Sequence, residues 1–298
     1  MTGKGMKPSM ALSTKIIENV WEKLKPDELR KIRRGSKKRI LVVRGSYDTI
    51  EDILKEAKVP HTLLEEFPDK EDLRQRGKYC TSKVMFVNCD ETYHDDYDGD
   101  FEAKNLGSHN RQALRNFVSQ GGRLITTDWA QGVVRYLFGK IQADEDVTGD
   151  ELVRVNFAND IAREMSGIFY GNASPNWWLE GSSDLISYRK NSGVVSLVES
   201  DDLEERYGSR SIAVGFPYKQ GEVFHFVSHL IAQKVKNYED KEKACLATFL
   251  DKGKFGLREL KNARLKFGPI ETAYTLMNTV LELSRNGNIL PREGGKKK

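Results

Sequence analysis

The chain has 298 residues, and 48 Lys+Arg against 44 Asp+Glu leave a formal net charge of +4. A hydrophobic content of 38% excludes a chain disordered throughout, and no run approaches the ~18 consecutive apolar residues of a membrane span. The net charge is too small for the length to indicate nucleic acid by itself. Three cysteines, Cys80, Cys89 and Cys245, with no CxxC, exclude a disulfide framework and imply a cytoplasmic protein with free thiols. The opening MTGKGMKPSM has no apolar run behind its lysines and is not read as a secretory signal.

Residues 11–38 read as helical, with Ser13 as an N-cap and Ile16, Ile17, Val20, Trp21 and Leu24 at helical spacing. Pro26 interrupts the pattern and suits the first turn of a second helix, which leads into the basic run RKIRRGSKKR. Residues 40–43 are a continuous apolar run closed by Arg44-Gly45, the pattern of a strand buried on both faces. A helix over 48–57 follows, then a short strand in HTLLE. KVMFVNC (83–89) is the next apolar run. Ser108 opens a helix through Leu114, Phe117 and Val118 that ends at Gly121-Gly122. RLITTDW is then a strand, and residues 130–138 return to helix. Strand signals recur at 151–157, 193–198, 211–217 and 222–228, and 172–188 reads as an insertion holding Trp177 and Trp178. The last 60 or so residues read as helical. Within them 252–266 is basic, 270–285 carries an apolar stripe, and GGKKK forms a tail.

Alternating strand and helix predicts an α/β fold of flavodoxin-like type: a mainly parallel sheet with helices on both faces and helical N- and C-terminal extensions. The expected divisions are an arm over 1–38, the α/β domain over 39–232 and a helical extension over 233–298. Sites in such folds lie beyond the carboxyl ends of the strands. That rule selects Gly45-Ser46, Cys89-Asp90 and Asp128-Trp129.

Three stretches, ILVVRGSYDT, LRNFVSQGGRLITTDWAQG and GEVFHFVSH, resemble in order and spacing the class I glutamine amidotransferase-like superfamily, including its ThuA-like branch. The resemblance spans about two thirds of the chain. In catalytic members, a cysteine flanked by glycines follows the strand after the glycine pair, on a turn that exposes its sulfur. Here that position is Asp128, between Thr127 and Trp129. The resemblance therefore implies a fold without the glutaminase nucleophile, and His229 in the region of the family's histidine with no thiol to activate.

Three residues, Cys89, Asp128 and His229, are the pocket candidates. Cys89 is a displaced nucleophile paired with His229 or His94, or else a half-buried core residue, which is the default. Asp128 is a metal ligand, a general base or, by preference, an acceptor for backbone N–H groups of the following helix. His225 and His229 fall on one strand face, where core packing or a helix cap is the default. The loop CDETYHDDYDGDFE offers Asp90, His94, Asp96, Asp98 and Asp100 as oxygen-rich metal candidates, but its spacing is not that of an EF-hand, so a solvated loop or a docking surface is the simpler reading. Trp177-Trp178 is a stacking platform for a sugar or base, or a core pair with one ring in and one out. No cofactor is implied. Segments 30–39 and 252–266 carry basic charge without a nucleic-acid fold signature, so a protein partner or self-association is expected and nucleic acid is not. The expected function is a non-catalytic assembly component, a pseudoenzyme scaffold. The alternative is a hydrolase or amidase of an amide or sugar-derived substrate that uses Cys89, or an acid-bound metal near Asp128 and His229.

Overall fold

The computed structural model describes residues 7–73, 77–93, 107–167, 175–230 and 267–291. Short apolar segments build the central sheet: β1 (Ile40–Val43), β2 (Thr62–Leu64), β3 (Val84–Val87), β4 (Arg123–Thr127), β7 (Asn156–Phe157), β10 (Val195–Glu199), β11 (Ser211–Tyr218) and β12 (Gly221–Phe226). Their order across the sheet is β2-β1-β3-β4-β12-β11-β10-β7. The first five run parallel. Each of the remaining three is antiparallel to the neighbour before it. β1, β3 and β4 are buried at every position, because helices cover both faces and no strand residue is left to meet water.

The helices are α1 (Lys7–Leu24), α2 (Pro26–Arg34), α3 (Ile50–Glu56), α4 (Lys70–Leu73), α5 (Gly107–Ser119), α6 (Gln131–Phe138), α7 (Asp160–Ser166), α8 (Asp201–Tyr207) and α9 (Phe267–Ser284). α5 and α6 pack on β4 and β12, while α1, α3, α7 and α9 form a second group that reaches β7, β8 and β10. α5 ends at Gly121, whose φ of 100° only glycine takes without strain.

Two pairs of strands stand apart from the main sheet: β5 (Gln142–Val147) with β9 (Asp184–Ser187), and β6 (Glu151–Arg154) with β8 (Asn176–Leu179). Residues 151–157, expected as one strand, thus divide. β6 pairs with the insertion, and only Asn156–Phe157 reaches the edge of the main sheet. The expected insertion itself supplies β8 and β9.

α9 is not the amphipathic surface helix its stripe suggests. All its positions from 269 to 284 are buried. α1 runs beside it in the same direction. Ser13 Oγ donates to the Ile270 carbonyl, Trp21 Nε1 to Asn278 Oδ1 and Lys25 Nζ to Glu282, each pair 257 residues apart. Thr272 donates to the Asn176 carbonyl of β8, and Asn278 to the Met165 carbonyl of α7. The polar residues of α9 therefore meet neighbours on several sides, which is how a helix with seven buried polar side chains besides Tyr274 can be internal. The basic segment 252–266 lies outside the described residues.

Candidate functional site

β3, β4 and β12 are adjacent and parallel, so their carboxyl ends open on one edge of the sheet. Cys89 follows β3, Asp128 follows β4 and His229 follows β12. The structure brings these three sequence candidates together. Cys89 Sγ lies 3.5 Å from Asp128 Oδ2 and donates to it, and His229 Nε2 lies 2.9 Å from the same oxygen. The His229 contact has ion-pair distance without the linear geometry of a hydrogen bond. Cys89, Asp128 and His229 are 1%, 3% and 1% exposed, so Cys89 is fully buried rather than half-buried.

The turn that carries Asp128 is strained. Its φ is 48°, in the left-handed region, which a side chain with a Cβ enters at a cost of order 1–3 kcal/mol. β4 passes straight into a one-turn helix at 128–130 and then α6, and this abrupt reversal needs the left-handed residue. The carboxylate does not cap α6 as expected. The N-cap position of α6 is Ala130, with no side-chain cap, and the Asp128 side chain turns back toward Cys89 and His229. On the far side, Gly45 lets β1 close against β3: a Cβ there would stand 2.2 Å from the Cys89 carbonyl oxygen. Thr127 Oγ1 accepts the Cys89 N–H.

Burial raises the Cys89 thiol far above its ordinary range, and the Asp128 charge adds to the effect, although the Trp129 N–H opposes it. The sulfur is a thiol, not a thiolate. For His229, burial works toward the neutral form, but contact with Asp128 and its charge, helped by Asp48 and Glu180, outweighs burial and lifts the imidazole to about 8. His225 is a separate case. It lies inside β12 with Nδ1 2.9 Å from Thr126 Oγ1, and burial lowers it to about 3 against a smaller pull from Asp128.

Two acids of this edge were not found by sequence reasoning. Glu180, from the loop after β8, places Oε2 3.2 Å from His229 Nδ1. Asp48, fully buried, accepts the Leu230 N–H at 2.8 Å and so holds the chain just past His229. The signal for Glu180 was its place beside Trp177-Trp178. Both rings are buried, at 0% and 3%, and neither faces solvent. Trp177 Nε1 donates to Thr275 of α9, whereas Trp178 sets its edge against the His229 ring. Among the metal candidates of the acidic loop, Asp90 has its carboxylate occupied by the N–H and hydroxyl groups of Ser46 and Thr92. Burial works against the Asp90 charge, but those hydrogen bonds prevail and hold it below the usual carboxylate range. His94, Asp96, Asp98 and Asp100 lie outside the described residues.

Among the described residues no helix is long and apolar enough to cross a membrane. No family model matches the chain. No curated relative matches it by sequence. Solved structures match in chain path. One is a glutamine amidotransferase from Methylobacillus flagellatus, with TM-score 0.48, 11% identity, and coverage of 84% of this chain and 96% of that one. Another is a glutamine amidotransferase from Thermotoga maritima, with TM-score 0.45, 11% identity, and coverage of 83% and 95%. The mmIFT52 N-terminal domain matches with TM-score 0.43, 12% identity, and coverage of 78% and 99%. At such identities none of these likenesses carries a residue role to this chain.

Proposed function

We propose that the chain is an amidotransferase-like module without glutaminase chemistry that acts by binding, either to a different protein or to a second copy of itself. One observation carries this reading. The residue held on the left-handed turn after β4 is Asp128, and among the described residues the thiol within reach of it, Cys89, is buried and points its proton at that carboxylate. An amide-cleaving nucleophile needs a thiolate or an activated hydroxyl exposed to substrate, and the cluster of Cys89, Asp128 and His229 offers neither. Near-complete burial of Cys89, Asp128 and His229 also argues against the hydrolase alternative, which needs substrate at those atoms. A binding role is supported by the exposed cations Lys31, Arg34, Lys37 and Lys38 on α2 and the segment after it.

Glutamine turnover by the purified chain, followed as glutamate release, is expected to be undetectable. Asp128→Asn is expected to keep the fold, as read by circular dichroism. Turnover that disappears in Cys89→Ser would overturn the reading.

A further inference from the structure

Cys89, Asp128 and His229 present three different kinds of ligand atom in one place. The sulfur, a carboxylate oxygen and an imidazole nitrogen all lie within 4.8 Å of one another. A tetrahedral zinc ion takes sulfur at about 2.3 Å and nitrogen or oxygen at about 2.0–2.2 Å, which sets neighbouring ligand atoms roughly 3–4 Å apart. The 3.5 Å between Sγ and Oδ2 and the 2.9 Å between Nε2 and Oδ2 are close to that spacing already.

Two independent features point the same way. Asp128 Oδ1 is buried and has no hydrogen-bond partner, an arrangement that is costly unless something else takes up the lone pairs. Glu180 Oε2 stands behind the imidazole, 3.2 Å from Nδ1. This is an ion-pair distance without hydrogen-bond geometry, but a carboxylate so placed favours the tautomer with its proton on Nδ1, which leaves Nε2, the nitrogen beside Asp128, as the ligand; metal-binding histidines are usually backed by a carboxylate. The ligands also stand on a firm base. They follow three adjacent parallel strands, and the Asp128 backbone is fixed at φ 48°.

We propose that Cys89, Asp128 and His229 bind one divalent transition-metal ion of the zinc class, with Glu180 as the residue that positions His229. The mixed sulfur, nitrogen and oxygen donors select against magnesium and calcium, which take oxygen ligands. As the ion binds, the Cys89 thiol proton and the Nε2 proton of the His229 imidazolium leave to solvent, so the sulfur enters as thiolate and the ring as neutral imidazole. The three buried ligands fill three of the four positions of a tetrahedral ion and tie together the ends of β3, β4 and β12. The site thus goes beyond the binding role proposed above and is compatible with a module that does no chemistry.

The test uses the full chain with Cys80→Ser and Cys245→Ser, so that Cys89 is the only thiol. Metal-stripped protein is titrated with cobalt(II), both directly and by refolding in its presence, because the ligands are buried. The expected result is one equivalent bound with a thiolate-to-cobalt charge-transfer band, displaced by zinc. The band is expected to vanish in Cys89→Ser, and affinity to fall about 10–100-fold in Glu180→Gln. Asp128→Asn, close to isosteric, is expected to weaken binding while circular dichroism stays unchanged. Absence of the band in folded protein, or a band and affinity indifferent to both Asp128→Asn and Glu180→Gln, would overturn the site.

Discussion

His225 and His229 stand four residues apart on one stretch of chain, yet at neutral pH one is neutral and the other charged. Both are buried, so desolvation pushes each toward the neutral form. Only His229 has carboxylates close enough to reverse that push, at 2.9 Å from Asp128 and 3.2 Å from Glu180. The consequence for His225 is measurable. Its folded value of about 3 lies below the unfolded value of 6.5, so its contribution to stability is present above pH 6.5 and is lost as pH falls toward 3. In that window the unfolded chain takes up a proton that the folded chain refuses, at about 1.4 kcal/mol for each pH unit. His225→Asn, which can still meet Thr126, is expected to flatten the dependence of stability on pH between about 6 and 4 by one proton. Urea unfolding at several pH values measures this, and an unchanged slope would show that His225 is protonated in the folded state. At this scale the sequence was informative in part. The rule that sites follow strand ends selected Cys89 and Asp128, and the resemblance carried by GEVFHFVSH, which His229 closes, made that histidine a candidate. It could not reach Glu180, whose arrival depends on how the β8–β9 insertion folds over the sheet edge.

The elements depend on contacts that no local pattern records. Arg123 and Glu222 begin β4 and β12 side by side as an ion pair, with side chains 5% and 2% exposed. Arg123 also donates to the carbonyls of Leu283, Arg285 and Gly287, while Glu222 accepts the N–H groups of Ile289 and Leu290. This pair therefore fastens the segment after α9 to the edge of the sheet opposite the candidate site. Burial lowers the affinity of the guanidinium for its proton, and the Glu222 charge opposes this. Removing one partner leaves the other charge buried and alone, so Arg123→Met is expected to cost about 3–5 kcal/mol, and Arg123→Met with Glu222→Gln less than Arg123→Met alone. Unfolding midpoints in urea decide it, and a double variant no more stable than Arg123→Met would contradict the pairing. The same dependence explains what could be read beforehand. β1 and β3 are unbroken apolar runs ended by a turn, and β4, with the sequence RLITT, follows a helix closed by a glycine pair; each was visible. β5, with the sequence QADEDV, has no apolar pattern and is defined by its pairing with β9. The stripe on α9 showed that the helix packs somewhere. That α1, from the other end of the chain, covers a second side of it was not visible in either helix.

For the whole molecule, the burial of α9 limits what an assembly surface can use. Its stripe is used inside the fold, so it cannot supply apolar area to an interface. What stays available is charge. Lys31, Arg34, Lys37 and Lys38 are exposed on one stretch, and the sequence places seven acids between residues 90 and 102 with no Lys or Arg among those from 90 to 102. Part of the basic stretch is already engaged at home: Arg33 pairs with Glu18, and Lys31 with Glu28. Exposed pairs contribute only about 0.2–1 kcal/mol each, so association through these surfaces needs several of them at once. Such contacts are screened beyond roughly 8–10 Å at physiological ionic strength, and the association is therefore expected to weaken with salt. Sedimentation of the full chain at low and high salt is the measurement, together with a variant in which Asp95, Asp96, Asp98 and Asp100 become Asn. Self-association that is present at low salt, reduced at high salt and reduced in the variant is the expected outcome. A monomer under every condition would remove the homotypic reading and leave a different, acidic or basic, protein surface as the partner. Association that is indifferent to salt would instead point to a buried apolar contact, and the exposed charges would then have no part in it.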